Sequence, residues 1–169
     1  VPHIAQALRK KDMDYIRWVI RSQEEAGAHI IDLCVDEMSV YPEERYEWIR
    51  WLVQTAQSIT DTIVSIDSSD SETIRAGLEA HDSSKGRPAI NSFNQEDGRQ
   101  VLVEMAKERN AILFANASGN SGMPKDGVER VENLERCMEQ MEAGGIAMKD
   151  RFLDTLVFPI GAVSYTHLT

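Results

Sequence analysis

Strand-like apolar runs recur along the chain every 24 to 38 residues, and each run ends in an aspartate or an asparagine. These five residues are Asp32, Asp67, Asn91, Asn116 and Asp154. Amphipathic helical segments lie between the runs, such as the one that begins at Pro42 and places Ile49 and Val53 on one face. Strands that alternate with helices predict a parallel sheet built from βα units.

The spacing of these units selects between two parallel α/β folds. Its mean of about 30 residues matches a (β/α)8 TIM barrel, in which roughly 250 residues are divided among eight units. The alternative is a doubly wound sheet, which binds nucleotides through a glycine-rich first turn. The nearest such segment, Gly119–Gly122, follows the fourth strand and lacks the GxGxxG pattern. We therefore predict an α/β fold in which the chain supplies five strands of a (β/α)8 barrel.

The charge composition excludes several classes of partner. The chain carries 18 Lys and Arg against 28 Asp and Glu, a net charge of −10, and its cations form no stripe. Nucleic-acid binding needs clustered cations, and an anionic membrane surface repels an acidic chain. No apolar run approaches the ~20 residues of a membrane span. Cys34 and Cys137 form no CxxC pair and fit a reducing compartment, so we expect a cytoplasmic protein without nucleic-acid or membrane partners.

The five strand-end residues form the candidate site. The carboxyl ends of the strands in a parallel barrel form one mouth, so these side chains are expected to converge. Asp and Asn are also common turn residues. Turn formation therefore explains a single one of these residues well, but it does not readily explain why all five strands end in Asp or Asn. Carboxylates and amides complement a heterocycle that presents an amino group and a ring N–H. An all-oxygen magnesium site is the competing interpretation, whereas the four scattered histidines predict no His/Cys metal site.

Five segments of the chain match the pattern of a known group of proteins. They are AGAHIID at 26–32, SIDSS at 65–69, AINSFN at 89–94, SGMPKD at 121–126 and LDTLV at 153–157. Over about residues 5–161 the chain resembles the pterin-binding barrels. That group includes dihydropteroate synthase, the folate module of cobalamin-dependent methionine synthase and the methyltetrahydrofolate:corrinoid-protein methyltransferases. The SGMPKD segment, similar to a TGIPKD-like stretch, and Asn91-Ser92 in place of the synthase's Asn-Asp favour the methyltransferase branch.

The resemblance implies a site and a reaction. Asp67, Asn91 and Asp154 would hold the pterin ring, with Asp32 and Asn116 as further pocket residues. The N5 methyl of 5-methyltetrahydrofolate would pass to cob(I)alamin carried by a separate corrinoid protein. Because cobalt is the nucleophile, the barrel needs no nucleophilic residue of its own. Related barrels also imply a homodimer that acts in one-carbon metabolism.

Two other functions stay open at the level of the sequence. One is a dihydropteroate synthase-type pterin enzyme, and the other is a non-catalytic pterin-binding barrel. The family's N5-contacting asparagine lies on the seventh strand, while the five strands here correspond to about strands 2–6. The catalytic residue therefore stays unassigned, and we expect the chain to be inactive by itself.

The ends of the chain depart from the family pattern. Because the chain starts at Val1 and has five strands, we expect it to be cut at both ends. We predict a partial pterin-binding domain over residues 1–161. Residues 162–169 lose the family pattern and resemble translated sequencing-adapter read-through, which predicts a non-native tail. An ordinary divergent loop is the alternative.

Overall fold

The computed structural model describes residues 2–157, which contain six α-helices and five β-strands. The strands are β1 (Ile30–Cys34), β2 (Ile63–Asp67), β3 (Ala89–Gln95), β4 (Ile112–Gly119) and β5 (Arg151–Asp154). The helices are α1 (Pro2–Lys10), α2 (Met13–Glu25), α3 (Pro42–Ile59), α4 (Ser71–Ala80), α5 (Val101–Glu108) and α6 (Gly127–Ala143). The predicted tail at 162–169 lies outside the described residues.

The strands form one parallel sheet in the order β1-β2-β3-β4-β5. A doubly wound sheet instead reverses its strand order at a switch point and carries helices on both faces. Here Ile31 and Leu33 of β1 are only 2% and 5% exposed, whereas Asp32 and Cys34 on the opposite face are exposed. The helices thus cover a single face, which is the outer face of a barrel. This confirms the predicted α/β fold, a partial (β/α)8 barrel.

Local signals in the sequence explain where several helices begin. Pro42 occupies the first turn of α3, where its missing N–H costs nothing, and Glu43 and Glu44 follow it. The Asp70 carboxylate accepts hydrogen bonds from the backbone of the first turn of α4. Asp126 caps α6 in the same way. Side-chain acceptors satisfy amides that the first helical turn leaves unpaired, so these residues fix the helix starts.

The structure corrects one predicted helix boundary, at the start of α5, and adds a helix at the beginning of the chain. The apolar pattern predicts a helix from Asp97, but α5 begins at Val101. Asp97 is instead tied to the loop after β4, because its amide donates to Asn120 Oδ1 at 2.7 Å and its carboxylate accepts from Asn120 Nδ2 at 2.8 Å. Helix α1 was not predicted from the sequence.

Three of the predicted strand ends are also corrected. Asp67 and Asp154 do end their strands, but β1, β3 and β4 continue past Asp32, Asn91 and Asn116 to Cys34, Gln95 and Gly119. A polar side chain on the interior face of the sheet leaves the backbone ladder intact. A polar residue on that face therefore marks the site rather than the end of the strand.

The core lies between the outer face of the sheet and the helices. Its fully buried side chains include Ile49, Val53, Ile66, Ile74, Ile90, Leu102, Leu113 and Met141. Helix α4 approaches β2 closely at Gly77, where an added Cβ would lie 2.8 Å from Ile66 Cγ2 and 3.0 Å from Ile49 Cγ1. Among residues 2–157, no helix has the length and apolar character needed to cross a bilayer.

Candidate active site at the carboxyl ends of the strands

The register of the sheet places all five predicted residues on its interior face. Cys34 pairs with Asp67, and Asp67 pairs with Asn91. Asn116 pairs with Asp154 in the same way. Paired residues of a parallel ladder face the same side, and alternate residues along a strand share a face. The register therefore places the five side chains on one face of the sheet, toward the carboxyl ends of its strands.

Three of the five side chains form a contiguous cluster. Asn91 Nδ2 lies 3.4 Å and 3.5 Å from the two carboxylate oxygens of Asp32, which makes a long hydrogen bond between β1 and β3. Asp67 lies on β2, between these two strands. The cluster therefore places two carboxyl groups and one amide on three adjacent strands.

The crowding of carboxylates affects the ionisation of Asp67. Burial, followed by the charge of Asp32, raises the pKa of Asp67 from its ordinary 3.8 to about 6. The charge of Asp36 acts in the same direction, while a hydrogen bond from the Cys34 thiol and the charge of Arg99 oppose it. A carboxyl group with this pKa can be ionised at neutral pH and can be protonated by a small change in its surroundings. It can therefore either accept or donate hydrogen bonds to a ligand.

The other two predicted residues make separate contacts. Asn116 Nδ2 donates to Ser92 Oγ at 2.6 Å, and its Oδ1 accepts from the Ser118 amide at 3.0 Å. Asp154 Oδ1 accepts from the amide of Leu156 at 2.8 Å, so the carboxylate closes a turn at the end of β5. Asn116 thus adjoins the cluster through the residue after Asn91, whereas Asp154 shares only the face and the register.

A polar cavity of about 270 Å³ extends from Asp67 and Asn116 toward the loops. Its other lining residues are Asp36, Ser68, Ser69, Ser92, Asn94, Glu96, Arg99 and Ser118. Sequence reasoning assigned no role to any of these. Ser68, Ser69, Ser92 and Asn94 lie inside the segments that carry the family resemblance, so their position was the available signal. Asp36 and Arg99 lie in loops, where no periodicity draws attention to them.

Asp36 organises the segment that follows β2. Its Oδ1 accepts from Ser68 Oγ at 2.5 Å, and its Oδ2 accepts from the Ser69 amide at 2.8 Å and from Ser69 Oγ at 2.7 Å. Burial alone would raise the pKa of Asp36, but these hydrogen bonds outweigh it and hold that pKa below its ordinary value. The carboxylate is therefore ionised at neutral pH and anchors the residues next to Asp67.

The chemistry of the cluster fits an organic ligand with adjacent N–H donors. Carboxylate oxygens accept such donors in pairs, and the amide of Asn91 can complement a neighbouring acceptor and donor. Within residues 2–157, no group of three or more His, Cys, Asp or Glu side chains is arranged to hold a metal ion. The magnesium interpretation thus has no structural support in this part of the chain.

Comparison with known protein families identifies the family of this chain. A family model described as "Pterin binding enzyme" matches residues 3–167. The chain belongs to the pterin-binding enzymes. This confirms the resemblance to the pterin-binding barrels that the strand-end segments carry.

The chain is also similar to curated proteins named as a methyltransferase and as methionine synthases. It is 25% identical over 171 residues to the "Methylcorrinoid:tetrahydrofolate methyltransferase" of Eubacterium limosum, an alignment that covers 99% of this chain and 61% of the relative. It is 27% and 26% identical over 162 residues to the "Methionine synthase" of Mycobacterium tuberculosis (strain ATCC 25618 / H37Rv) and of Mycobacterium leprae (strain TN). Those alignments cover 92% of this chain and 13% of each relative. The chain thus spans about three fifths of the first relative and a small part of the other two.

Proposed function

We propose that the protein transfers the N5 methyl group of 5-methyltetrahydrofolate to cob(I)alamin held by a separate corrinoid protein. The observation that carries the proposal is the cluster of Asp32, Asp67 and Asn91 on the interior face of a pterin-binding barrel. The names of the relatives supply the reaction class. The first relative is named for transfer from the methylcorrinoid to tetrahydrofolate, so the assay below follows both directions.

The pterin ring presents its 2-amino group and the neighbouring N3–H as adjacent donors. In this proposal the Asp67 carboxylate accepts both, and the Asn91 amide bonds to the neighbouring positions of the ring. Asp154 holds the ring from the far side of the mouth, with Asp32 and Asn116 as the surrounding pocket residues. The folate would bind as substrate, whereas the cobalamin would be carried by the partner protein.

The corrinoid protein and this chain would supply different parts of the reaction. The corrinoid supplies the cobalt nucleophile, which forms a bond to the methyl carbon as the bond from that carbon to N5 breaks. The electron pair of the broken bond stays on N5, so hydrogen-bond or proton donation to N5 must strengthen in the transition state. The residues of this chain bind and orient the pterin for that step. No described residue is assigned to donation at N5.

The test uses the full-length gene product, purified 5-methyltetrahydrofolate and cob(I)alamin as a free surrogate for the corrinoid protein. Loss of the cob(I)alamin spectrum with added 5-methyltetrahydrofolate would support the proposal, as would its return from methylcobalamin with tetrahydrofolate. Condensation of a dihydropterin pyrophosphate with p-aminobenzoate would instead indicate the synthase. Folate binding without turnover, even with a corrinoid protein present, would indicate a non-catalytic binder.

The Asp67→Asn variant tests the site separately from the reaction. Loss of one buried charge-assisted pair should cost roughly 2–3 kcal/mol, or about 30- to 150-fold in affinity for 5-methyltetrahydrofolate. Isothermal titration calorimetry measures this affinity directly. Asp14→Asn is the matched control, because the Asp14 side chain is 98% exposed on α2. Equal affinity in Asp67→Asn and in the wild type would refute the assigned pterin contact.

We further infer that the protein is a cytoplasmic homodimer, as the family resemblance implies. Both cysteines are free, Cys34 exposed and Cys137 buried, which fits a reducing compartment. Light scattering coupled to size-exclusion chromatography of the full-length protein measures the oligomeric state.

A further inference from the structure

Arg99 lines the polar cavity beside Asp67 and joins the two strands that carry the central residues of the candidate site. Its side chain is buried, with 5% of the residue exposed. Nη1 donates to the Ser69 carbonyl at 3.0 Å, and Nη2 donates to the Ser68 carbonyl at 3.1 Å and to the Ser92 carbonyl. Ser68 follows Asp67 in the chain, and Ser92 follows Asn91. One guanidinium therefore bridges the backbone next to both residues.

The segment after Asp67 is held from two sides by opposite charges. Asp36 accepts hydrogen bonds from the hydroxyls of Ser68 and Ser69 and from the Ser69 amide. Arg99 donates to the carbonyls of the same two serines. The donors of the segment thus face an anion and its acceptors face a cation. This arrangement fixes the direction in which β2 ends and hence the place of the Asp67 carboxyl.

The bonds of Arg99 reach a further residue of the site. Ser92, whose carbonyl accepts from Arg99, also accepts at its Oγ from Asn116 Nδ2 at 2.6 Å. The guanidinium directs its terminal nitrogens to backbone carbonyls, so it is not placed as a ligand for the substrate. Its planar fork of donors suits simultaneous contact with carbonyls from two strands, and a lysine ammonium lacks that fork.

We propose that Arg99 is a positioning residue that sets the spacing of Asp67 and Asn91 and neutralises part of the negative charge around Asp67. The inference rests on the pterin-holding role proposed above for those two residues.

The charge balance around Asp67 supports the second half of this role. Asp32 and Cys34 face it from β1, Asp36 faces it from the loop after β1, and Arg99 faces it from the turn before α5. The two aspartates raise the pKa of Asp67, while the Cys34 hydrogen bond and Arg99 lower it. Without the Arg99 charge, less positive charge offsets the negative charges of Asp32 and Asp36. The pKa of Asp67 should then rise, and binding that needs its carboxylate should move to higher pH.

The experiment measures the affinity for 5-methyltetrahydrofolate from pH 5 to 9 in the full-length protein. Arg99→Met removes both the fork and the charge, and we expect about tenfold or greater weakening at pH 7. The pH midpoint of binding should also rise above that of the wild type, because less positive charge then favours the ionised Asp67 carboxylate. Arg99→Lys keeps the charge but loses the fork, so its affinity should fall while its midpoint stays near that of the wild type.

Arg87→Met is the control for a loss of structure alone. Arg87 lies before β3, at the opposite end of the barrel, and pairs with Asp150 at 2.9 Å with both side chains mostly buried. This variant should have a lower melting temperature than the wild type, yet keep its affinity for 5-methyltetrahydrofolate and its pH midpoint of binding.

The outcomes separate this inference from the proposed function. If the wild type does not bind 5-methyltetrahydrofolate, the proposed function fails first. If the wild type binds and Arg99→Met matches it in affinity and midpoint, only the role of Arg99 is overturned. If Arg99→Met does not fold, wild-type affinity in Arg99→Lys overturns the positioning role. An Arg87→Met midpoint that moves as far as that of Arg99→Met would overturn the assignment of the pH effect to Arg99.

Discussion

Replacement of Asp67 by asparagine should stabilise the ligand-free protein at neutral pH while it removes ligand affinity. Burial and the charge of Asp32 raise the pKa of Asp67 from 3.8 to about 6 in the folded protein. The folded state therefore binds the proton more tightly than the unfolded state does. The contribution of this carboxyl to stability is complete below about pH 4 and is lost as the pH rises through about 6.

The size of the effect follows from the same two pKa values. At 1.36 kcal/mol per pH unit, a rise from 3.8 to about 6 corresponds to about 3 kcal/mol of lost stability at neutral pH. Solvent reaches part of the carboxyl and screens its interactions, which reduces the figure to about 1–2 kcal/mol. An amide does not ionise, so Asp67→Asn avoids this cost.

Urea denaturation followed by circular dichroism, repeated from pH 4.5 to pH 8, measures the difference. The Asp67→Asn variant should gain about 1–2 kcal/mol over the wild type at pH 7.5 and less at pH 4.5. Asp14→Asn should stay within about 0.5 kcal/mol of the wild type, because the ion pair of Asp14 with Arg17 is exposed to solvent. A difference that is independent of pH, or a loss of stability at pH 7.5, would refute the argument. Stability gained at the expense of binding is typical of a residue retained for function.

Two further predictions concern the packing of the barrel wall and the reactivity of the interior thiol. Gly77→Ala should lower the melting temperature, at a cost of about 1–3 kcal/mol, because its Cβ would lie 2.8 Å from Ile66 Cγ2. Gly127→Ala, where an added Cβ meets nothing within 4 Å, should melt no earlier than the wild type. Cys34 should react with iodoacetamide at pH 8 at least about tenfold more slowly than a free thiol, since partial desolvation on the interior face and the nearby charges of Asp67 and Asp36 raise its pKa to about 12. Mass spectrometry of the alkylated protein over time measures this rate. Modification of Cys34 at the rate of a small thiol would contradict the prediction.

The parts of the fold that apolar periodicity controls were predictable from the sequence. Side chains such as Ile31 and Val64 must be buried beneath helices, so their spacing reveals each strand and its partner helix. The same reasoning misplaced the ends of β1, β3 and β4, because Asp32, Asn91 and Asn116 point to the interior face, where a polar group does not interrupt pairing.

The candidate site was predictable only where its residues lie on strands. The register of a parallel sheet brings Asp67 and Asn91 side by side, as their positions in successive βα units suggest. Asp36 and Arg99 act through hydrogen bonds to backbone groups about 30 residues away in sequence. Such contacts depend on the path of two loops, and no local pattern of residue types encodes them.

The sequential order of the sheet also bears on how the molecule is made. Each strand pairs with the one synthesised just before it, so every ladder closes over a single intervening helical segment. These pairings need no later part of the chain, although a parallel pairing forms more slowly than a hairpin because a whole helical segment separates its strands. A nascent chain leaving the ribosome can therefore add one βα unit at a time, and each new strand covers the hydrogen-bonding edge of its predecessor.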